Sequence, residues 1–300
     1  MNFADAVITK ARSLGHPLCV GLDPHLDLIP PLFRRGSMAP EDPQTVLAVS
    51  ELLFALLDRI GGRAPIIKPQ SAFFEQLGAA GIELLQQVMT RARSLGLLVL
   101  LDAKRGDIGS TAEGYARAYL DPNAPLRADA LTVNPYMGVS TLTPYLERCQ
   151  RSERGLFVLV KTSNPGSADI QDLTVDGQPV FVQLAGKLAP HAPALIGAET
   201  GWSSLGVVVG ATYPEQAARV REVLPKSLFL IPGYGAQGGS AVDAVRSFVP
   251  GPSGLEGGIV NSSRGILFPS GNPASPNAWE HAVDAALDRA ISELGDAVSH

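Results

Sequence analysis

Three charged residues follow an apolar stretch of this chain in the spacing Asp-x-Lys-x-x-Asp. Segment 98–111 reads LVLLDAKRGDIGST, and the three residues are Asp102, Lys104 and Asp107. The apolar run predicts a strand buried on both faces, and strand alternation directs Asp102 and Lys104 to the same side. Charges at a buried strand end are costly unless they pair, so this set indicates acid–base and electrostatic chemistry. The alternative is a capped strand end with an incidental ion pair.

A glycine-rich segment and a later arginine predict an anion site. Segment 233–239 reads GYGAQGG, and Arg264 lies in the segment NSSRG. Glycines allow backbone N–H groups to approach an anion, and a helix predicted from residue 239 would direct its positive end there. The planar guanidinium of Arg264 is suited to phosphate. A tight connection explains the glycines equally well by themselves, whereas the arginine one loop later favours phosphate.

The elements that must position these groups repeat as a short apolar run, a loop and an amphipathic helix. The predicted strands are 17–23, 65–69, 97–101, 129–134, 156–161, 205–210, 227–232 and 258–261. After a first helix over 1–15, the predicted helices are 44–60, 79–95, 111–120, 139–151, 180–192, 213–224, 239–248 and 277–294. This alternation predicts the α/β class and a (β/α)8 TIM barrel, with a doubly wound parallel sheet as the alternative.

Polar residues stand at the carboxyl ends of most predicted strands. Besides the residues already named, they are Asp23, Lys68, Asn134, Lys161, Thr162, Ser163 and Asn261. Barrel enzymes have their chemistry at this end of the strands. Because each unpaired buried charge costs several kcal/mol, such a convergence indicates a functional site.

We expect one domain over residues 1–300 with two long insertions. Segment 24–43 follows the first predicted strand and segment 162–179 follows the fifth. Long loops at the carboxyl ends of barrel strands are usually functional, and surface decoration is the alternative. Because segment 162–179 is long and polar, we expect it to take part in closing the site.

Composition excludes several classes of function. The formal net charge is −5, and the scattered basic residues give no footprint for nucleic acid. No apolar stretch is long enough to span a membrane. Two cysteines, Cys19 and Cys149, are predicted to be buried, which indicates a reducing, cytoplasmic setting. The sequence has no P-loop, no Rossmann glycine motif and no Cys/His metal spacing, so we expect no cofactor and no metal.

Seven motifs together resemble one family. In chain order they are GLDP, IIKPQSAFFE, LLDAKRGDIGST, VNPYMG, KTSNPGS, IPGYGAQGG and NSSRGI. They resemble the orotidine 5′-phosphate decarboxylase family, and in particular its branch of longer bacterial-type chains. The resemblance implies a TIM barrel that converts orotidine 5′-phosphate to UMP and CO2 in pyrimidine biosynthesis without a cofactor. It also implies a homodimer.

The resemblance further implies a role for individual residues. Lys104 would stabilise and protonate a carbanion at C6 of the pyrimidine, within a catalytic set of Lys68, Asp102, Lys104 and Asp107. Asp107 and Thr111 would come from the partner subunit. The implied substrate contacts are Asp23 and Lys68 for the ribose, Ser163 for the pyrimidine, and Gly235, Gln237 and Arg264 for the phosphate.

Two other functions remain open from the sequence. One is a related Mg²⁺-dependent decarboxylase of a 3-keto sugar acid phosphate, in which an acidic metal ligand stands where this chain has Lys68. The other is a barrel that binds a nucleotide without catalysis. Such a barrel would be expected to lack one of the four alternating charges, and this chain has all four.

Overall fold

Eight parallel strands close into a barrel in the computed structural model, which describes residues 1–235, 238–269, 273 and 275–299. Each strand pairs with its neighbours along the chain, and the last pairs with the first. The strands are β1 (Leu18–Leu22), β2 (Ile66–Pro69), β3 (Leu98–Arg105), β4 (Ala130–Val133), β5 (Gly155–Lys161), β6 (Ser203–Val209), β7 (Ser227–Ile231) and β8 (Gly258–Ser262). The fold is the (β/α)8 barrel that the sequence predicts.

Helices surround the barrel, and further short elements lie in the loops. The helices are α1 (Phe3–Leu14), α2 (Pro43–Ile60), α3 (Gly78–Ser94), α4 (Gly109–Leu120), α5 (Thr143–Ser152), α6 (Val180–Leu188), α7 (Pro214–Val223), α8 (Ala241–Val245) and α9 (Pro276–Ser299). Single helical turns cover Ala72–Glu75, Ala168–Gln171 and Arg264–Leu267, and 3-10 turns cover Leu26–Leu28, Val139–Leu142, Pro165–Ser167 and Ala189–Leu195. Short hairpins join Thr174–Val175 to Gln178–Pro179 and Val249–Gly251 to Gly254–Glu256. Within the described ranges, no helix is both long and apolar enough to cross a bilayer.

Strand alternation separates the inside of the barrel from its outside. An inner apolar layer takes one residue from each strand: Cys19, Ile66, Leu100, Ala130, Phe157, Val208, Leu230 and Ile259. The residues between them pack outward against the helices. Two positions further along their strands, Lys68, Asp102 and Thr132 point into the barrel above this layer. The apolar layer therefore forms the floor of the carboxyl end.

The structure differs from the predicted elements where tertiary contacts or caps interrupt a helical pattern. The helix predicted over 239–248 is only α8, because Ser240 caps it late and a hairpin begins at Val249. The helix predicted over 180–192 changes to a 3-10 turn after Leu188. Strand β3 continues to Arg105, so Asp102 and Lys104 lie within the strand rather than after it.

The first insertion, segment 24–43, packs partly into the outer core. Ile29 and Phe33 are buried there, and the Phe33 ring lies edge-on to that of Trp279 in α9, 4.9 Å between centroids. This part of the insertion therefore joins α9 to the barrel rather than only decorating the surface.

A buried arginine binds the amino-terminal end of the barrel together, opposite the charged strand ends. Arg221 of α7 lies with its guanidinium carbon 3.8 Å from the ring centre of Phe229. Burial lowers the pKa of Arg221 to about 9, so the side chain remains charged at neutral pH. Its N–H groups donate to the backbone carbonyls of Leu224, Ser227, Ser247 and Gly257. One side chain thus links the segments that lead into β7 and β8.

Arg221→Met should lower the free energy of unfolding by about 3 kcal/mol or more, because it leaves buried carbonyls without donors. Denaturant unfolding measures this loss. Lys226→Met is the matched control, since Lys226 lies 5.6 Å from the ring centre of Trp202, as Arg221 does at 5.1 Å, but is exposed. The control should change the free energy by less than about 0.5 kcal/mol. Equal, small effects of both substitutions would contradict the structural role of Arg221.

Candidate active site

A cavity of about 930 Å³ opens at the carboxyl end of the barrel. Every strand, or the loop directly after it, contributes to its lining. Of the predicted site residues, those that line it are Asp23, Lys68, Asp102, Lys104, Ser163 and Arg264. The structure therefore brings together, in one chain, most of the residues that the sequence singled out.

Asp102 lies at the centre of the polar contacts in this cavity. Its Oδ2 accepts hydrogen bonds from Lys68 Nζ at 2.9 Å and from Gln70 Nε2 at 3.0 Å. Its Oδ1 accepts hydrogen bonds from Lys104 Nζ at 2.7 Å and from Thr132 Oγ1 at 2.8 Å. One carboxylate thus holds two ammonium groups apart and in fixed directions.

The charges of this group support one another. Burial alone would raise the pKa of Asp102, but Lys68 and Lys104 more than offset it, so this pKa lies far below its ordinary value. Burial would likewise lower the pKa of Lys68, yet Asp102 and Asp23 raise it above its ordinary value. The Asp102 carboxylate and the Lys68 ammonium group are therefore both charged across the physiological pH range.

Lys104 lies at an irregularity in the barrel wall. Its φ is +47°, in the left-handed region that is unfavourable for residues with a side chain. The pairing of β3 with β4 shifts register between Leu101 and Arg105. Such bulges redirect side chains and occur next to active sites. Here the bulge brings Lys104 Nζ back to Asp102 while leaving the side chain about half exposed to the cavity.

Asp23 and the residues at the end of β8 form another side of the cavity. Ser263 Oγ donates a hydrogen bond to Asp23 Oδ2 at 2.5 Å, while Asp23 Oδ1 and Asn261 Oδ1 are buried without a partner among the described residues. Gly21 makes this approach possible, because a Cβ there would lie 2.8 Å from Ser263 Cβ. The unpaired oxygens can accept hydrogen bonds from hydroxyl groups of a ligand.

Ser163 and Arg264 lie on the rim of the cavity. Ser163 packs against Gly210 at the end of β6. A Cβ added to Gly210 would lie 2.8 Å from the Ser163 Cα. Arg264 begins a single helical turn after β8, is exposed, and has no ion pair within the described part of the chain. Its guanidinium is thus available to an anionic ligand.

The glycine-rich segment is only partly at the cavity. Gly233 and Tyr234 line it, whereas Gly235 does not, and the Gly235 N–H donates to the Gly239 carbonyl at 3.0 Å. Gln237 lies outside the described residues. Tyr234 Oη donates to Glu293 Oε2 of α9 at 2.6 Å, and burial together with this hydrogen bond raises the pKa of Tyr234. Since α8 has only five residues, the helix dipole expected here is weak.

Asp107 and Thr111 do not reach the cavity of their own chain. Asp107 Oδ1 accepts the N–H of Ile108, and Thr111 is exposed in the first turn of α4. Ile108, the residue after Asp107, leaves 60% of its surface exposed. The loop after β4 lies against this segment, since a Cβ on Gly106 would come within 2.6 Å of the Asn134 carbonyl oxygen, and in that loop Tyr136 and Met137 leave 81% and 46% exposed. Exposed apolar side chains therefore accompany these two predicted site residues in the loops after β3 and β4.

Lys161 has a structural role that the sequence did not reveal. It was expected among the polar strand ends, but it is fully buried and does not line the cavity. Its Nζ donates to Asp172 Oδ1 at 2.8 Å and to Ser167 Oγ at 3.0 Å, and it lies 4.5 Å from the ring centre of Tyr213. A register shift between Leu159 and Lys161 removes it from the inward-facing alternation. Lys161 instead anchors segment 162–179, whose closure over a ligand stays a prediction.

Several lining or bonding residues were missed by sequence reasoning. Gln70 follows Lys68 by two positions, and Thr132 follows Ala130 of the inner layer by two. Applying strand alternation along the whole of β2 and β4 would have found both. His25 also lines the cavity and packs edge-on against Phe73, with 4.4 Å between centroids. No pattern in the sequence distinguishes it from an ordinary loop histidine.

The side chains that line the cavity include cations as well as carboxylates. Across the residues that the structure describes, no group of three or more His, Cys, Asp or Glu side chains is arranged to hold a metal ion. The arrangement can bind an anion and deliver a proton from a held ammonium group.

Comparison with known proteins gives a consistent result. A family model described as "Orotidine 5'-phosphate decarboxylase / HUMPS family" matches residues 16–275. A protein of Rhodopirellula baltica named orotidine 5′-phosphate decarboxylase is 42% identical over 98% of this chain and 99% of its own length. The structure of the Leishmania donovani OMP decarboxylase superposes with a TM-score of 0.77 at 32% identity, covering 99% of each chain. A related protein of Streptomyces avermitilis gives a TM-score of 0.82 at 34% identity, covering 100% of this chain and 96% of that one.

Lys161→Met should speed limited proteolysis within 162–179 by roughly tenfold or more, because it removes charge-assisted hydrogen bonds that anchor the segment. Asp172→Asn should act in the same direction. Asp169→Asn, on the same loop and exposed, is the control and should be cut at the wild-type rate. Mass spectrometry of the fragments locates the cuts, and unchanged cleavage of Lys161→Met would rule out the anchor.

Proposed function

The chain belongs to the orotidine 5′-phosphate decarboxylase / HUMPS family, and we propose that it decarboxylates orotidine 5′-phosphate to UMP with Lys104 as the proton donor. The observation that carries this proposal is the Asp102 carboxylate bridging Lys68 and Lys104 at the cavity. That arrangement holds the Lys104 amine in a fixed direction at the cavity.

The reaction breaks the bond between C6 of the pyrimidine and its carboxylate carbon. CO2 leaves, and the electron pair stays on C6. The Lys104 ammonium stabilises this charge, donates a proton to C6 and then regains one from solvent. Asp102 keeps Lys104 oriented through the 2.7 Å hydrogen bond, so little reorganisation is needed as charge develops.

The rest of the cavity supports recognition of a nucleotide. Asp23 and Lys68 would bind the ribose hydroxyl groups, since Asp23 Oδ1 has no partner among the described residues. Ser163 would contact the pyrimidine. Arg264 would bind the phosphate together with backbone of the glycine-rich segment and Gln237. Binding energy from the remote phosphate can then be used at the reacting ring.

We further propose a homodimer in which Asp107 and Thr111 complete the partner's site. Both residues lie outside their own cavity, close in the chain to the exposed Ile108, and the adjoining loop after β4 exposes Tyr136 and Met137. Exposed apolar side chains close to predicted site residues that do not reach their own cavity are typical of a subunit interface. Asp107 would then place a second carboxylate near the partner's Lys104.

The Mg²⁺-dependent sugar-acid decarboxylase fits this site less well. It needs an acidic ligand where this chain has Lys68, and the Lys68 ammonium is buried against Asp102. A cation at that position would repel a divalent metal.

Lys104→Ala should reduce turnover of orotidine 5′-phosphate by more than about 1000-fold, since both charge stabilisation and proton delivery are lost. Loss of the substrate's ultraviolet absorbance, followed with excess chelator, measures the rate. Lys226→Ala, an exposed lysine at the opposite end of the barrel, is the control. A folded Lys104→Ala protein with near-normal activity would contradict the assignment, and so would a wild-type protein that the chelator inactivates.

Mixing two inactive variants tests the shared site. Lys104→Ala and Asp107→Asn homodimers should each be inactive, but subunit exchange should restore activity in about a quarter of all sites, because hybrids carry one intact site. Activity is measured after mild dissociation and reassociation. If Asp107 serves its own barrel, no hybrid contains an intact site and the mixture stays inactive.

A further inference from the structure

Strand β3 carries two more residues than β4 across the site. The two strands pair in register at Leu101 with Leu131 and again at Arg105 with Val133. Between these pairs, three residues of β3 face Thr132 alone. A bulge of this size leaves backbone groups without their ladder partners. Lys104 is the last of the three residues.

The bulge leaves the Lys104 N–H without a backbone acceptor, and a side chain replaces it. Lys104 N donates to Thr132 Oγ1 at 2.9 Å. Lys104 also has φ +47°, a conformation that other residues must hold in place. On the carboxyl-terminal side of Lys104 the regular pairing resumes, because Asn134 N donates to the Arg105 carbonyl at 2.8 Å.

The Thr132 hydroxyl has a second partner in the same site. It donates its own hydrogen to Asp102 Oδ1 at 2.8 Å, the oxygen that also accepts Lys104 Nζ at 2.7 Å. The hydrogen bonds therefore form a closed ring from the Lys104 backbone through Thr132 and Asp102 to the Lys104 side chain. Thr132 is 1% exposed and does not line the cavity, so it acts without touching a ligand.

We infer that Thr132 is a positioning residue for the proposed decarboxylation, because its hydroxyl fixes both ends of Lys104. Without the hydroxyl, the Lys104 N–H loses its acceptor, and the left-handed backbone loses the contact that holds it. Asp102 loses one of its four donors at the same time. Both changes move Lys104 Nζ from the direction in which it meets C6, while the ribose and phosphate contacts remain. This inference rests on the proposed function.

The test compares three proteins. Thr132→Val keeps the shape of the side chain and removes the hydroxyl, so kcat should fall roughly 10- to 100-fold, as expected for lost hydrogen bonds that orient a charged group. KM should change by less than about threefold, because the binding contacts lie elsewhere. Thr132→Ser keeps the hydroxyl and should restore kcat to within about threefold of wild type.

Thr45→Val is the matched control. Thr45 is also fully buried and donates to the Ala39 carbonyl at 2.7 Å, but it lies in α2, away from the cavity. It should lower the thermal midpoint and leave kcat unchanged. All rates are measured well below the lowest midpoint, so that loss of folded protein does not enter kcat.

Amide exchange gives a second readout that does not depend on turnover. In ¹⁵N-lysine-labelled protein, the Lys104 amide should exchange faster in Thr132→Val than in wild type, and Thr132→Ser should restore its protection. If Thr132→Val does not fold, Thr132→Ala carries the same comparison. An unchanged kcat and unchanged Lys104 exchange in the folded variant would overturn the inference. Wild-type protein without activity on orotidine 5′-phosphate would instead overturn the proposed function.

Discussion

The site depends on one buried carboxylate with four donors. Asp102 is 6% exposed, and a charge at that depth is tolerable only because Lys68, Gln70, Lys104 and Thr132 all bind it. These donors come from three adjacent strands, so the pairing of β2, β3 and β4 assembles the charged centre of the site. Removal of either lysine would leave a partly compensated charge inside the barrel, so we expect it to lower local stability as well as activity.

Much of the fold was predictable because strand and helix periodicities are local. All eight strands were found within a few residues, and the predicted polar strand ends Lys68 and Asp102 both line the cavity. The corresponding expectation for Lys161 was wrong, because a register shift after Leu159 is set by pairing with β6 and leaves no mark in the sequence of β5. Helix α8 was predicted too long for a similar reason, since its limits depend on a cap and a following hairpin.

The candidate site shows the same contrast between what local patterns predict and what tertiary contacts decide. Charged residues at strand ends were found from the sequence because burial of charge is costly wherever it occurs. Thr132 and Gln70 carry no charge and were overlooked, although they complete the shell of Asp102. Asp107 follows the end of β3 and does not line its own cavity, and no local pattern in the sequence encodes that position.

The hydrogen bond between Tyr234 and Glu293 makes the last helix part of the ligand-binding end. Helix α9 also packs against segment 24–43 through Trp279, so the loops after β1 and β7 are both connected to it. During synthesis the barrel strands emerge first, and the glycine-rich loop acquires this anchor only when α9 docks. A ribosome-bound chain that lacks α9 would therefore carry all eight barrel strands without an anchor for that loop.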